Sequence, residues 1–309
     1  MRIKALLIGI TLALFIWPAS AFAISLVEAE WLKKNMDDGN LRIVDVSKKD
    51  STFEKGHIPG AVQVKRKIDL GNLEMIPPNR YPTKVQFEKL MAKLGINNNT
   101  VVVAYDDTFS LFAARFLVQM EMYGHDNKKL KLLNGGSVRW KQLGYPMDKG
   151  PCGCAVLATS YTSTHIRQDF FVSWTDIYRD VVLGANPEVK LLDSRPAAEY
   201  KAEKIRSIRG GHIPKAINVT GAHAVDPKDQ RFKPIAEIRR MYENAGFTPE
   251  KHIYEYCHSG DRSAHAYFIL KHLLGYEYVR FNDGGWLEWS TTLSLPAENE
   301  VWLWDAPKK

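Results

Sequence analysis

Cysteine is scarce in this chain. There are three in 309 residues, and an odd count leaves at least one thiol without a partner in the same chain. Long apolar runs are scarce too. After the first 23 residues no segment approaches the ~20 apolar residues a membrane helix needs. No basic run with interleaved aromatics occurs, so the net charge of +7 is weak ground for nucleic-acid binding. Two of those charges, Arg2 and Lys4, lie in the first 23 residues, which carry no acid. The mild basic excess that remains suits a small anionic substrate. With 45% hydrophobic and 25% charged residues, the composition is that of a folded chain long enough for two ordinary domains.

The opening stretch, MRIKALLIGITLALFIWPASAFA, has a basic start, an apolar run, Pro18 and the small-residue ending Ala21-Phe22-Ala23. This is the pattern of a secretory signal cleaved after Ala23. Pro18 and Ser20 interrupt the run too early for an uncleaved anchor, and no cysteine follows Ala23 for lipid attachment. The expected location is the periplasm or the medium, with no stable membrane span after cleavage. In such a compartment a free thiol is a liability unless it is used. Cys152 and Cys154 form a C-x-C pair beside Gly and Pro. Two ligands alone make a poor metal site, so no metal is expected. Cys257 is left over.

The chain repeats itself. Residues 43–64, IVDVSKKDSTFEKGHIPGAVQV, resemble 191–219, LLDSRPAAEYKAEKIRSIRGGHIPKAINV. Residues 87–107 line up with 238–258 without a gap, and LNGGSVRW lines up with FNDGGWLEW once Asn282 is set aside. The period is far too long for a solenoid, so the expectation is two domains from one duplication. The boundaries read as signal 1–23, first domain 24–149, linker 150–168 and second domain 169–309. Short β-branched runs such as TVVVAY suit buried parallel strands. Between them, VQFEKLMAKLG and IAEIRRMYENAG carry helical spacing and end at Gly95 and Gly246. Ser25-x-x-Glu28 and Ser173-x-x-Asp176 read as capping boxes opening the first helix of each domain. The fold class is α/β, each domain a parallel sheet with helices on both faces.

Features common to both copies read as scaffold: His57 and His212 in the GHIP turns, Asp45 and Asp193, and Trp140 and Trp289. Features of one copy are candidates for chemistry. Asp106 stands where Cys257 stands, Ser47 where Arg195 stands, and Ser137 where Trp286 stands. All three positions follow strand C-termini, where open α/β sheets place their sites. The stretch CHSGDRS (257–263) joins strand-like HIYEY to an apolar helical run. Such a turn points backbone N–H groups inward as an anion nest, reinforced by the helix dipole. Those donors would stabilise the Cys257 thiolate, and Gly260 allows close backbone approach.

YCHSGDRSAHAYFIL, the paired GHIP turns, LLDSR and NDGGWLEW together resemble the rhodanese sulfurtransferases of the tandem two-domain type. The resemblance covers essentially the whole chain after the signal. It implies that the first domain is an inactive copy and that Cys257 is the nucleophile. Cys257 would take the outer sulfur of thiosulfate, release sulfite and pass the sulfur to cyanide or a thiol. On this view the amides of His258, Ser259, Gly260, Asp261, Arg262 and Ser263 hold the persulfide. Arg262 and Arg195 neutralise the sulfonate, Asp261 pairs with a base such as His258, and Trp286 walls the pocket. No cofactor is implied. A phosphatase loop, C-x5-R, would need arginine at Ser263 and is rejected. Two rivals stay open. The donor could be 3-mercaptopyruvate, although a loop with an arginine favours a doubly charged donor. The chain could also be a persulfide carrier that serves a partner protein.

Overall fold

The computed structural model describes residues 23–152, 157 and 159–306. The expected signal segment through Phe22 and Cys154 lie outside the described residues. The first half carries strands β1 (Ser25–Val27), β2 (Leu41–Asp45), β3 (Val62–Gln63), β4 (Val101–Tyr105) and β5 (Leu130–Leu133). They form one parallel sheet in the order β1-β5-β4-β2-β3. The second half carries β6 (Val189–Asp193), β7 (Arg209–His212), β8 (Ile217–Asn218), β9 (His252–Tyr256), β10 (Val279–Phe281) and β11 (Glu298–Trp302). Its parallel sheet runs β10-β9-β6-β8, and Phe171 bridges Phe281 in parallel where β1 pairs in the first half. The chain is thus two α/β units with parallel sheets. An addition that the sequence did not announce is an antiparallel pair, β7 with β11.

Among the described residues, α-helices cover the sheets: α1 (Ala29–Asn35), α2 (Asp50–Lys55), α3 (Arg66–Asp69), α4 (Lys84–Lys93), α5 (Leu111–Met122), α6 (Gly136–Gln142), α7 (Trp174–Ile177), α8 (Ala197–Tyr200), α9 (Ile235–Glu243), α10 (Asp261–Tyr267) and α11 (Gly285–Thr291). Alternation along β4 shows how each sheet is covered twice. Val103 and Tyr105 face a core with Leu32, Phe53 and Trp140, while Val102 and Ala104 face the opposite side. That opposite core is shared. It runs from Phe116 and Met120 of α5 into Tyr242 of α9, Phe281 of β10 and Phe268, which continues α10. Helix α5, LFAARFLVQMEM, is therefore buried on nearly every side. It packs on its own sheet with one face and on α10 with another. The consequence is functional. The two loops that lead into α5 and α10 come face to face.

Local expectations fare unevenly. Ser173 caps α7 with Asp176 in a reciprocal box, as expected. Ser25 does not cap a helix. It lies in β1, and α1 starts after Glu28 with no side-chain cap, because pairing of Ser25–Val27 with β5 extends the chain through the would-be cap. Gly95 and Gly246 sit at φ +67° and +85°, as helix-ending glycines should. His57 and His212 brace their turns alike. Each Nδ1 meets a carbonyl at 2.9 Å, Phe53 O and Tyr200 O, and each ring stacks on that same residue.

Candidate active site

Cys257 follows β9 directly and is a free, buried thiol. The chain then turns through His258, Ser259 and Gly260 into α10. Gly260 sits at φ +88°, and a Cβ there would lie 2.5 Å from Arg115 Nη1 and 2.8 Å from Asp283 Oδ1. Both conformation and space demand glycine. The base of the loop is pinned by α11: Trp286 N donates to Cys257 O at 2.7 Å and Leu287 N to His258 O at 2.9 Å. A Cβ on Gly285 would lie 2.6 Å from Cys257 O, so the backbones touch there. Within the loop the first amide that finds a protein acceptor is Ala264 N, on Gly260 O at 3.1 Å. Among the described residues, none of the amides of 258–263 donates to protein.

The first half shows what such amides do beside an anion. Asp106 is the counterpart of Cys257. Its Oδ1 accepts from Thr108 N (2.7 Å) and Ser110 N (3.0 Å), and its Oδ2 from Phe112 N (2.8 Å) and Ala113 N (3.0 Å). In the ungapped alignment the first three of those amides correspond to Ser259, Asp261 and Ser263. The loop's base is also alike, since Ser137 N donates to Asp106 O at 3.0 Å. The first copy lacks a glycine at the Gly260 position. Phe109 and Ser110 adopt φ +57° and +62° instead, a local strain of order 1 kcal/mol or more each.

A cavity of about 270 Å³ opens over Cys257 between the two halves. Arg206 and Arg262 line it from the second half, Lys48 and Arg66 from the first. Thr108, Leu111 and Phe112 close it on the first-half side. Against the single carboxylate of Asp261, these four basic side chains give the cleft lining an excess of positive charge, which favours an anion. Arg262 is clamped by Glu199 through two bonds of 2.9 and 3.0 Å, and Arg206 reaches the same carboxylate at 3.2 Å. Burial works against the Glu199 charge, but Arg262 and then Arg206 outweigh it and hold its carboxyl below the usual range.

The expected site residues divide. Cys257, Ser259, Asp261 and Arg262 line the cleft. Asp261 does not pair with His258. It reaches across the halves to Arg66 at 3.1 Å and to the fully buried Arg115 at 3.4 Å. His258 is buried, its Nδ1 has no protein partner, and burial followed by Arg206 pushes its pKa down to about 4. It is a neutral imidazole that cannot serve as the base for Asp261. The Ser263 hydroxyl is buried without a protein partner and lies outside the cleft lining, so only its amide is a candidate for anion contact.

Arg195 and Trp286 are corrections. Arg195 is 1% exposed and is absent from the cleft lining. Its Nε and Nη2 grip Asp193 at 2.6 to 3.0 Å, and Nη2 also donates to Gly211 O. The carboxylate two residues earlier captures the guanidinium, and the Trp286 ring stacks 4.8 Å from it. Trp286 in turn is core, its Nε1 bonded to Arg209 O at 3.1 Å. Both act behind the loop. Sequence reading missed Lys48, Arg66, Arg206 and Glu199. Arg206 had a signal, because it lies in the stretch that makes 191–219 longer than 43–64. Lys48 and Arg66 belong to the copy set aside as inactive.

With this geometry in hand, comparisons with known proteins are decisive for the family. The rhodanese-like domain matches this chain twice, at residues 28–143 and 183–292. The chain belongs to the rhodanese-like family. It is a sulfurtransferase of that family built from two tandem domains. It is 34% identical over 285 residues to the sulfur carrier protein TtuD of Thermus thermophilus, covering 88% of this chain and 95% of that one. It is 33% identical over 282 residues to a Mycobacterium tuberculosis protein named "Putative thiosulfate sulfurtransferase", covering 88% and 97%. Among solved structures, the Escherichia coli 3-mercaptopyruvate sulfotransferase SseA superposes with a TM-score of 0.72 at 25% identity, covering 84% of this rhodanese and 98% of SseA.

Proposed function

We propose that this rhodanese moves the sulfane sulfur of thiosulfate to a thiophilic acceptor through a persulfide on Cys257. The observation that carries the reading is the pair of matched loops. Three of the four backbone amides that hold the Asp106 carboxylate in one copy correspond to amides of Ser259, Asp261 and Ser263, which follow a thiol in the other and have no protein acceptor among the described residues. The Cys257 thiolate attacks the outer sulfur of thiosulfate. The S–S bond of the donor breaks, and sulfite leaves with the bonding electron pair. The new outer sulfur carries a negative charge and lies among the amides of 258–263, as an oxyanion lies in its hole. A thiol or cyanide then attacks that sulfur, and Cys257 leaves as thiolate, ready for another cycle. Sulfite is a good leaving group, so the step demands no general acid.

The cleft's cations favour thiosulfate over 3-mercaptopyruvate as donor, since Lys48, Arg66 and Arg206 can face both charges of a dianion. The reading includes export, with cleavage after Ala23 and action in the periplasm or medium. The test is thiosulfate-to-cyanide transfer, read as thiocyanate, by the wild type and Cys257→Ser, with 3-mercaptopyruvate run alongside. Thiosulfate turnover that disappears in the variant is expected. Turnover with 3-mercaptopyruvate alone would move the donor assignment. No turnover with either donor would leave a persulfide carrier for a partner protein, the role named for TtuD.

A further inference from the structure

A second cluster of buried polar groups lies away from the cleft, and it joins the two halves. Ile24, which follows the Ala21-Phe22-Ala23 ending directly, is only 1% exposed. Its backbone N donates to His272 Nδ1 at 3.1 Å. Nδ1 is therefore the acceptor nitrogen, so Nε2 carries the ring hydrogen and donates it to Glu121 Oε2 at 2.9 Å. The side chains of His272 and Glu121 are 2% and 3% exposed. Glu121 accepts further from Asn127 at 2.8 Å and from Arg167 at 2.9 Å. Burial opposes its charge, yet His272, Asn127 and Arg167 hold its carboxyl below the usual range. Ile24 and Glu121 belong to the first half and His272 to the second, so this chain of bonds crosses between the halves twice.

A peptide N–H needs only a neutral acceptor, and any backbone carbonyl would supply one. Here the donor meets an imidazole backed by an ionised carboxylate, an arrangement suited to a cation. We propose that His272 and Glu121 form a binding site for an α-ammonium group. Its ligand is the chain's own N-terminus, created by cleavage of the Ala23–Ile24 bond. A small-residue-specific endoprotease adds water across that bond. The carboxylate stays with Ala23, and the Ile24 nitrogen takes up the proton balance as an ammonium with three N–H donors. One donor keeps His272 Nδ1, now as a charge-assisted bond. The others face the partly exposed side that Ala23 occupied. Processing thereby tightens the interface that brings α5 and α10 together beneath the catalytic cleft.

The inference rests on the export reading and is separable from the sulfur chemistry. The experiment compares a chain beginning at Ile24 with one that keeps Phe22 and Ala23, each with His272 or with His272→Gln. The Ile24-first chain should melt about 2–4 °C higher than the extended chain. Its α-amine should react about tenfold more slowly with an acylating reagent at neutral pH, because the bound ammonium withholds the lone pair. Both differences should vanish in His272→Gln, which lowers the melting point of the extended chain as well. A residue with a purely structural role would lower both chains equally and leave the difference intact, and that result would overturn the proposal. So would equal melting points and reactivities in the unsubstituted pair. N-terminal sequencing of the full chain after export should begin at Ile24, and any other start removes the proposed ligand.

Discussion

The loop at Asp106 and the loop at Cys257 are two versions of one backbone solution. In both, a strand ends, the chain turns tightly into a buried helix, and a Gly-Gly turn pins the loop from behind. They differ in what sits at the strand end. The first loop satisfies its amides with its own carboxylate and accepts left-handed Phe109 and Ser110 to do so. The second relaxes that backbone with Gly260 and places a thiol there. The Cys257 loop is thus the Asp106 loop with its internal carboxylate replaced by a thiol, which leaves the amides of Ser259, Asp261 and Ser263 without a protein acceptor among the described residues.

The comparison breaks most completely at Cys257→Asp. The variant should lose sulfur transfer by at least about a thousand-fold, since the proposed nucleophile is gone. It should also be more stable than the wild type. A carboxylate at 257 can accept the amides of Ser259, Asp261 and Ser263 as Asp106 accepts theirs, at roughly 1 kcal/mol or more per charged hydrogen bond. A rise in melting temperature together with lost thiocyanate formation is the expected pair of results. A fall in melting temperature would mean that the two cradles are not equivalent.

How much of this was legible in the sequence follows from what a repeat comparison can see. Aligning the copies exposes which positions differ, and it singled out Cys257, which with Ser259, Asp261 and Arg262 lines the cleft. It also placed His57, His212, Trp140 and Trp289 in the scaffold, where they lie. It cannot see which way a side chain turns. Arg195 and Trp286 follow strand ends, as expected of site residues, but a carboxylate two residues away and a core on the far side of the sheet hold them behind the loop. Nor can it see packing between copies. Lys48 and Arg66 reach the cleft only because α5 and α10 share a core, and nothing in either repeat alone encodes that contact.

The two arginines sharpen this distinction. Arg195→Ala leaves the fully buried Asp193 without its charge partner, a loss of the kind that costs about 3–5 kcal/mol. Denaturation should register that loss, while the thiosulfate KM of the folded fraction stays near the wild-type value. Arg206→Ala should do the reverse. Its side chain is 45% exposed, so stability should barely move. The KM for thiosulfate should rise about fivefold, with the effect shrinking at high salt. A KM rise in Arg195→Ala without loss of stability would return that residue to the substrate.

The smallest expected effect tests the electrostatics of the Asp106 loop. Burial pushes the Asp106 carboxyl up to about 6, against the pull of the amides of Ala113, Thr108 and Phe112. A carboxyl whose folded pKa lies above its unfolded value of about 3.8 favours folding most in its protonated form. Its contribution is complete below about pH 4 and is lost as pH rises through 6. A rise from 3.8 to about 6, the balance of burial against those amides, corresponds to no more than roughly 3 kcal/mol. Asp106→Asn cannot titrate. The stability of the wild type minus that of the variant should therefore fall between pH 4 and 6 and stay level above it. A difference that rises over the same interval would mean that the amides outweigh burial. The first copy would then hold its anion as tightly as the second is proposed to hold a persulfide.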